Sequence, residues 1–257
     1  MYPRPQLKRE SFFLLNGQWD FAFDDENIGV LEGWSHTVRG DRKINVPFTY
    51  ETGKSGIGDE RPHGVIWYWK NITITNEFKK DQSIQINFEG CDYHLDLWVN
   101  GVYKGSHDGA YTRFAFELGK FAEGEEVLLS IRVEDPHSEE QVRGKQRWLS
   151  DNYGCWYVQT TGIWKDVWLE QVSDDYVEKI KITPDIYKKT VTIHTMCHSN
   201  KENLIMKSDV YFEGKFINSV SGKLEAGVCQ MDIDVYNKYV GEWGSNCGVL
   251  TLRTCIH

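Results

Sequence analysis

Phe88-Glu89-Gly90-Cys91-Asp92-Tyr93-His94-Leu95-Asp96-Leu97-Trp98-Val99-Asn100-Gly101 alternates in character along its second half. Leu95, Leu97 and Val99 share one face of an extended segment while His94, Asp96 and Trp98 share the other, because successive strand side chains point to opposite sides of a sheet. Asn100-Gly101 is the dipeptide that best tolerates positive φ at both central positions of a hairpin. The stretch predicts a sheet strand running into a tight hairpin. Working outward, short runs of the same kind recur: Trp19, Phe21 and Phe23; Val65 to Ile74; Ile84, Ile86 and Phe88; Phe114, Phe116 and Leu118; Val127, Leu129, Ile131 and Val133; Val167 and Leu169. A 3.6-residue period is nowhere dominant. Glycines and charged residues punctuate the runs at the spacing of about 8–12 residues expected of a sandwich, so residues 1–174 read as two packed antiparallel sheets of jelly-roll type.

After Val172-Ser173-Asp174-Asp175 the pattern restarts, with runs at Val177 to Ile182, Val191 to Thr195, Ile205 to Phe212, Phe216 to Val220 and Met231 to Val235. An immunoglobulin-type sandwich ordinarily has about seven strands in ~100 residues. Residues 175–257 therefore read as an immunoglobulin-like β-sandwich that is incomplete, truncated or aberrant at its C-terminal end. The expected fold class is all-β, a jelly roll followed by this second sandwich.

Composition narrows the function classes. Aromatic residues make up 14% of the 257, with 10 Trp and 13 Tyr, which suits sandwich cores and sugar-stacking platforms equally. A formal net charge of −9 and a pI near 5.4 argue against nucleic acid or an anionic membrane as partner, since neither gains from meeting an acidic surface. The cysteines, Cys91, Cys155, Cys197, Cys229, Cys247 and Cys255, form no Cys-x-x-Cys pair and are expected as free thiols. The opening Met1-Tyr2-Pro3-Arg4-Pro5-Gln6 lacks the pattern of a signal peptide, and no stretch approaches the ~20 apolar residues of a membrane span. A cytoplasmic location is the expectation.

Trp67-Tyr68-Trp69-Lys70, Phe88-Glu89-Gly90, the strand ending in Asn100-Gly101, and Thr160-Thr161-Gly162-Ile163-Trp164-Lys165-Asp166-Val167-Trp168-Leu169-Glu170 together resemble the amino-terminal sugar-binding domain of family-2 glycoside hydrolases, the β-galactosidase and β-glucuronidase group. The resemblance implies a galactose-binding-domain-like jelly roll, then an immunoglobulin-like sandwich, then a catalytic (β/α)₈ barrel of roughly 250 residues that this sequence does not contain. It implies a retaining hydrolase that needs no organic cofactor. The run from Trp243 to His257 departs from the family pattern, and no proline follows Pro184. A frameshift or premature stop near Trp243 is the expectation there, to be checked by reading the downstream DNA in the other frames.

Retaining hydrolysis takes two carboxylates about 5–5.5 Å apart. No credible pair is legible, so no catalytic residue is assigned. Asn76-Glu77 copies the dipeptide that houses the family's acid/base, but it closes a sandwich strand before the charged turn Phe78-Lys79-Lys80. His194 and His198 would lie about 13 Å apart along a strand, too far for one zinc ion, and no metal is expected.

The segment Gln146 to Tyr157 combines Trp, Tyr, Asp and Asn, the chemistry of sugar recognition. By the resemblance, Ser150 to Tyr157 and Gly58 to Gly64 correspond to loops that reach toward the barrel's active site. Asp151 is the leading polar contact and Trp156 the leading platform, with Asn152, Arg61 and His63 as further sugar-binding candidates. The alternative is that Trp148, Trp156 and Tyr157 cover a domain interface. Trp164 and Trp168, alternating along a strand, are expected to pack in a core or interface.

The function expected is the noncatalytic N-terminal part of a retaining β-glycoside hydrolase, inactive alone, with a carbohydrate and the missing catalytic barrel domain as partners. A freestanding carbohydrate-binding module is one alternative. A structural or oligomerisation domain, forming a homo-oligomer without sugar affinity, is the other.

Overall fold

The computed structural model describes residues 3, 4, 7–9, 11–136, 138, 140–185, 187–235 and 250–256. They contain no α-helix: strands carry the fold, with short 3₁₀ turns such as Gly53–Ser55. The chain divides into two compact units, Arg9–Gln171 and Val172–His257, and the described residues Pro3, Arg4, Leu7 and Lys8 group with the second.

In the first unit, a four-stranded sheet has the order β1 (Phe12–Leu14), β12 (Val167–Val172), β5 (Ser83–Phe88), β9 (Phe114–Gly119). A six-stranded sheet has the order β3 (Arg42–Val46), β2 (Gly17–Phe23), β4 (Val65–Thr73), β10 (Glu126–Glu134), β7 (His94–Val99), β8 (Val102–Asp108). A small ribbon pairs β6 (Cys91–Asp92) with β11 (Gly162–Ile163). Alternation does the sorting: Phe21, Tyr68, Leu95, Leu97, Ile131 and Val133 from the larger sheet share one buried core with Ile84, Ile86, Phe88, Val167 and Leu169 from the smaller. Burying one apolar face of each sheet against the other is what makes two layers stable.

The far face of the six-stranded sheet is also covered around β4. Trp67, Trp69 and Trp98 lie on it with stacked rings, centroids 5.8 Å apart for Trp67–Trp69 and 5.4 Å for Trp67–Trp98. Residues 24–38 cover the first two: Trp34 packs on Trp67 and Trp69, the Trp69 indole N–H donates to the Trp34 carbonyl (2.8 Å), and the Trp67 indole N–H donates to Asp24 Oδ2 (3.0 Å), while Trp98 stays half-buried at the edge of the group. Trp168 has its ring buried with its N–H on Glu170 (3.0 Å), and Trp164 donates to the Ala110 carbonyl (2.9 Å). Both follow the packing expectation.

The hairpin read from Asn100-Gly101 forms as a two-residue turn between β7 and β8, with φ of 49° and 78° at its two residues. Asn100 Oδ1 accepts the Leu128 amide (2.8 Å), tying the turn to β10. A Cβ on Gly101 would lie 2.0 Å from His36 Nδ1. Gly101→Ala is expected to cost about 1–2 kcal/mol, from the left-handed backbone and the displaced imidazole, read as a lower urea midpoint with an unchanged slope.

In the second unit, β13 (Tyr176–Asp185), β14 (Thr190–His198) and β17 (Val228–Asp234) form one sheet, with β14 in the middle. The other has the order β16 (Lys215–Lys223), β15 (Ile205–Phe212), β18 (Leu250–Ile256). Met206, Cys229 and Met231 make one buried cluster with Val177, and Val191, Ile193, Val210 and Ile233 make another. Leu7 packs against the first cluster and Arg4 donates to the Glu178 carbonyl, which is why these residues group here and not with the sandwich that follows them in sequence. Strand β18 went unforeseen in the sequence: it pairs antiparallel with β15 from Phe212↔Leu250 to Met206↔Ile256, giving six strands among the described residues rather than five. The break expected near Trp243 lies outside the described residues.

Among the described residues, Cys91, Cys155, Cys197 and Cys229 are free thiols, as expected from the sequence. No described helix is long and apolar enough to cross a membrane.

Candidate functional site

Strands β4 and β10 bring two loops to one end of the first unit. The first, Gly58 to Gly64, leads into β4; the second runs from the end of β10 to β11 and contains Gln146 to Thr161. Asp135, just past β10, donates its amide to the Gly64 carbonyl (2.9 Å), so the two loops start side by side.

Arg147 ties them together. Its guanidinium is buried and donates to Gln159 Oε1 (3.1 Å), to Asn152 Oδ1 (3.1 Å) and to the Glu60 carbonyl (2.9 Å), while the Glu60 carboxylate stands at 3.5 Å. Gln159 Nε2 donates to the same Glu60 carbonyl (3.0 Å). A planar fork with five donors spread over three nitrogens holds acceptors set apart around its edge, which the three donors radiating from one lysine nitrogen do not span. Asn152 and the loop carrying Arg61 and His63 are thereby brought together.

The individual candidates take different positions. Arg61 is exposed and forked onto Asp59, at 2.9 Å from Nε and 2.5 Å from Nη2, and these hydrogen bonds hold the Asp59 carboxyl well below the usual range. His63 lies beneath the surface: its ring stacks on Phe23 at 3.6 Å, its Nδ1 meets Asp25 at 2.8 Å, and its amide donates to Tyr50 Oη (3.1 Å). Its geometry holds the loop rather than presenting an imidazole to a ligand. Asp151 is exposed at the tip of the second loop and accepts from Ser150 Oγ (3.2 Å). Trp156 is half-buried and meets Trp148 edge to face at 4.8 Å, with Tyr153 against Trp148 at 5.5 Å and the Arg143 guanidinium over the Trp148 ring at 4.8 Å. The turn Tyr153-Gly154-Cys155-Trp156, closed by the Trp156 amide on the Tyr153 carbonyl (2.8 Å), sets this aromatic group. Trp148 and Tyr157 remain open to solvent.

Beneath the loops lies a layer that the sequence reading passed over. Glu51, Asp92 and Asp135 are all buried, and each holds the second loop from below. Asp92 Oδ2 accepts from Gln146 Nε2 (2.7 Å), whose Oε1 accepts the Thr160 amide (2.6 Å). Asp135 accepts from Thr161 Oγ1 (3.0 Å) and Gln141 Nε2 (2.5 Å), and Glu51 Oε1 accepts the Thr161 amide (3.0 Å). Burial pushes Glu51 up to about 7; burial, and next the neighbouring Asp135, push Asp92 up to about 7. Burial also drives the Tyr50 and Tyr68 hydroxyls well above their ordinary range. Asp92 stands in the stretch quoted at the outset, yet only the tertiary fold reveals that it and Glu51 share a floor.

No cluster of three metal-ligating side chains occurs among the described residues. A separate cavity of about 330 Å³, lined by Phe13, Leu15, Ile72, Ile74 and Phe78, opens near the other end of β4.

Residues 12–173 match the family described as "Glycosyl hydrolases family 2, sugar binding domain". The chain is 27% identical over 213 residues to a β-galactosidase of Thermoanaerobacterium thermosulfurigenes, a match covering 81% of this chain and 28% of that protein. It is 23% identical over 246 residues to a β-glucuronidase of Paenibacillus borealis, covering 90% of this chain and 41% of that protein. The crystal structure of Ruminococcus gnavus β-glucuronidase shares the fold with a TM-score of 0.71 at 15% identity, covering 100% of this chain and 44% of that one. The chain thus spans less than half the length of these relatives.

Proposed function

From the premise that this chain belongs to glycosyl hydrolase family 2, whose sugar binding domain it carries at residues 12–173, we propose that it is the noncatalytic N-terminal part of a retaining β-glycoside hydrolase. Its loops support an active site whose two carboxylates lie on a (β/α)₈ barrel supplied from outside these residues. The domain assignment we adopt is a jelly-roll sugar-binding domain over residues 1–174 and an immunoglobulin-like sandwich over 175–257. Terminal β-galactosides or β-glucuronides are the substrate classes of the parent enzyme, by analogy with the relatives named above, with no organic cofactor and with a cytoplasmic site of action.

One observation carries this reading: Arg147 locks the Gly58–Gly64 loop to the loop holding Asn152, making a single rim of polar and aromatic groups at one end of the sandwich. Such a rim offers flat faces for sugar C–H surfaces at Trp148, Trp156 and Tyr157, and planar polar partners for hydroxyls at Asp151, Asn152 and Arg61.

Calorimetric titration of the pure chain against galactose, glucuronic acid and their β-linked disaccharides tests the proposal. Affinity in the millimolar range or none, together with no turnover of chromogenic galactoside or glucuronide, is the expected result. Micromolar affinity, corresponding to about −8 kcal/mol, would instead identify a freestanding carbohydrate-binding module. Substantial turnover would put the chemistry inside this chain and overturn the placement of the catalytic groups.

A further inference from the structure

Three buried carboxyls converge on one segment of chain. Asp92 holds Gln146, Asp135 holds Gln141 and Thr161, and Glu51 holds Thr161, so the stretch from Gln141 to Thr161 rests on acids at both of its ends. Every group in these bonds to Asp92 and Glu51 is an amide or a hydroxyl. Asp92 Oδ1 and Glu51 Oε2 are themselves buried with no hydrogen-bond partner among the described residues, although the Thr49 and Thr161 hydroxyls lie near enough to the Glu51 carboxyl to oppose part of the effect of burial. A buried carboxylate that meets neither a cation nor enough donors is costly, whereas a neutral carboxyl in the same place is tolerated.

We propose that Asp92 and Glu51 are positioning residues for the candidate sugar-facing segment 141–161, and that they do this work as neutral, protonated acids. The geometry is that of a pinned loop whose closed state buries any charge placed on its pins: ionisation strengthens each bond from Gln146 and Thr161, but leaves a carboxylate shut away from water beside other acids, and that cost is larger. The groups that face Asp92 are Asp135 at the end of β10, Glu51 after β3, Cys91 beside it on β6, and Tyr111 after β8. The titratable groups that face Glu51 among the described residues are Asp92 on β6, Tyr50 beside it and Tyr68 on β4, with the Thr49 and Thr161 hydroxyls as neutral neighbours. The titratable groups are all acids, so each added negative charge meets others. Consistent with that, burial leaves both carboxyls titrating near 7.

The direction follows from linkage. When the segment lifts, the two carboxyls meet water and return to the ordinary carboxyl range, so the closed state binds more protons than the open one between about pH 4 and 7. Closure therefore weakens as pH rises through that window and weakens no further once the closed form has ionised as well. The consequence for sugar recognition rests on the function proposed above; the loop's behaviour does not.

Hydrogen–deuterium exchange of the 141–161 amides in the full chain without sugar, corrected for intrinsic rates, reads it directly. From pH 5.5 to 7.5 the opening constant is expected to rise about twentyfold from Asp92 alone. Asp92→Asn, which keeps an acceptor for Gln146, is expected to stay closed and lose most of that rise, and Glu51→Gln to lose its own part. An opening constant equal at both pH values in the unaltered chain overturns the proposal. So does a full rise retained in both variants. If Asp92→Asn does not fold, the unaltered chain and Glu51→Gln still decide. Failure here leaves the calorimetric test of function untouched, since no sugar is present.

Discussion

Tyr68→Ala is expected to destabilise the first unit by about 3–5 kcal/mol, the range for removing a large aromatic from a packed core. Tyr68 is fully buried on β4, edge-on to Phe21 at 5.2 Å and to Trp19 at 6.5 Å. Its hydroxyl reaches across to β11, where it accepts the Ile163 amide at 3.3 Å. It also lies so close to Gly162, 2.1 Å from where a Cβ would be, that only glycine fits beneath it. Truncation would open a cavity between the sheets and leave the Ile163 amide without its partner. Tyr68→Phe separates the two effects: it keeps the ring and is expected to cost about 1 kcal/mol, the net worth of one hydrogen bond. Urea unfolding of both variants checks this, and a loss below 1 kcal/mol for Tyr68→Ala would contradict the central position given to the ring.

Arg147→Met is expected to release the loop rim, at a cost of about 2–4 kcal/mol that falls mainly on local opening. Methionine fills much of the volume, but the Gln159 and Asn152 side-chain oxygens lose a donor, and the Glu60 carbonyl keeps only Gln159. Each buried acceptor left without a donor costs about 1–3 kcal/mol, reduced where water can enter. Amides of residues 58–64 and 146–160 should exchange about a hundredfold faster, while those of β7 and β10 keep their protection. Arg147→Lys is expected to behave like the methionine variant, because one ammonium cannot face three acceptors arranged around a planar fork. Equal acceleration in the sheet strands would mean that Arg147 supports the core and not the rim.

Much of the sandwich was legible because alternation is a local signal. Leu95, Leu97 and Val99 announced their strand, and Asn100-Gly101 announced its turn, since both depend on residues adjacent in sequence. Strand β4 was harder to orient from its side chains: Trp67 and Trp69 are as apolar as Ile66 and Tyr68, because both faces of that strand are covered. Strand β18 escaped because its residues were weighed against a family pattern that they do not follow, although backbone pairing with β15 needs only an extended segment in reach. At the site, the aromatic and amide content of residues 146–157 was visible as composition. What composition could not supply was the choice among polar residues. Arg147 owes its role to Glu60, 87 positions earlier, and Glu51 acts on Thr161, 110 positions later. Arg61 and His63 are equally polar neighbours in the sequence, yet Arg61 is exposed while the Phe23 ring takes one face of His63 and Asp25 its Nδ1.

The cover that residues 24–38 lay over Trp67 and Trp69 bears on how such a surface can be used. Two of its indoles are spent on sealing a flat surface from the molecule's own side, so their faces are closed to any ligand however rich in tryptophan the composition looks. On the function proposed above, discrimination among saccharides would fall to the margin where chain segments cross from one layer to the other. There, lengthening or swapping a connection alters what is presented without disturbing what holds the layers together.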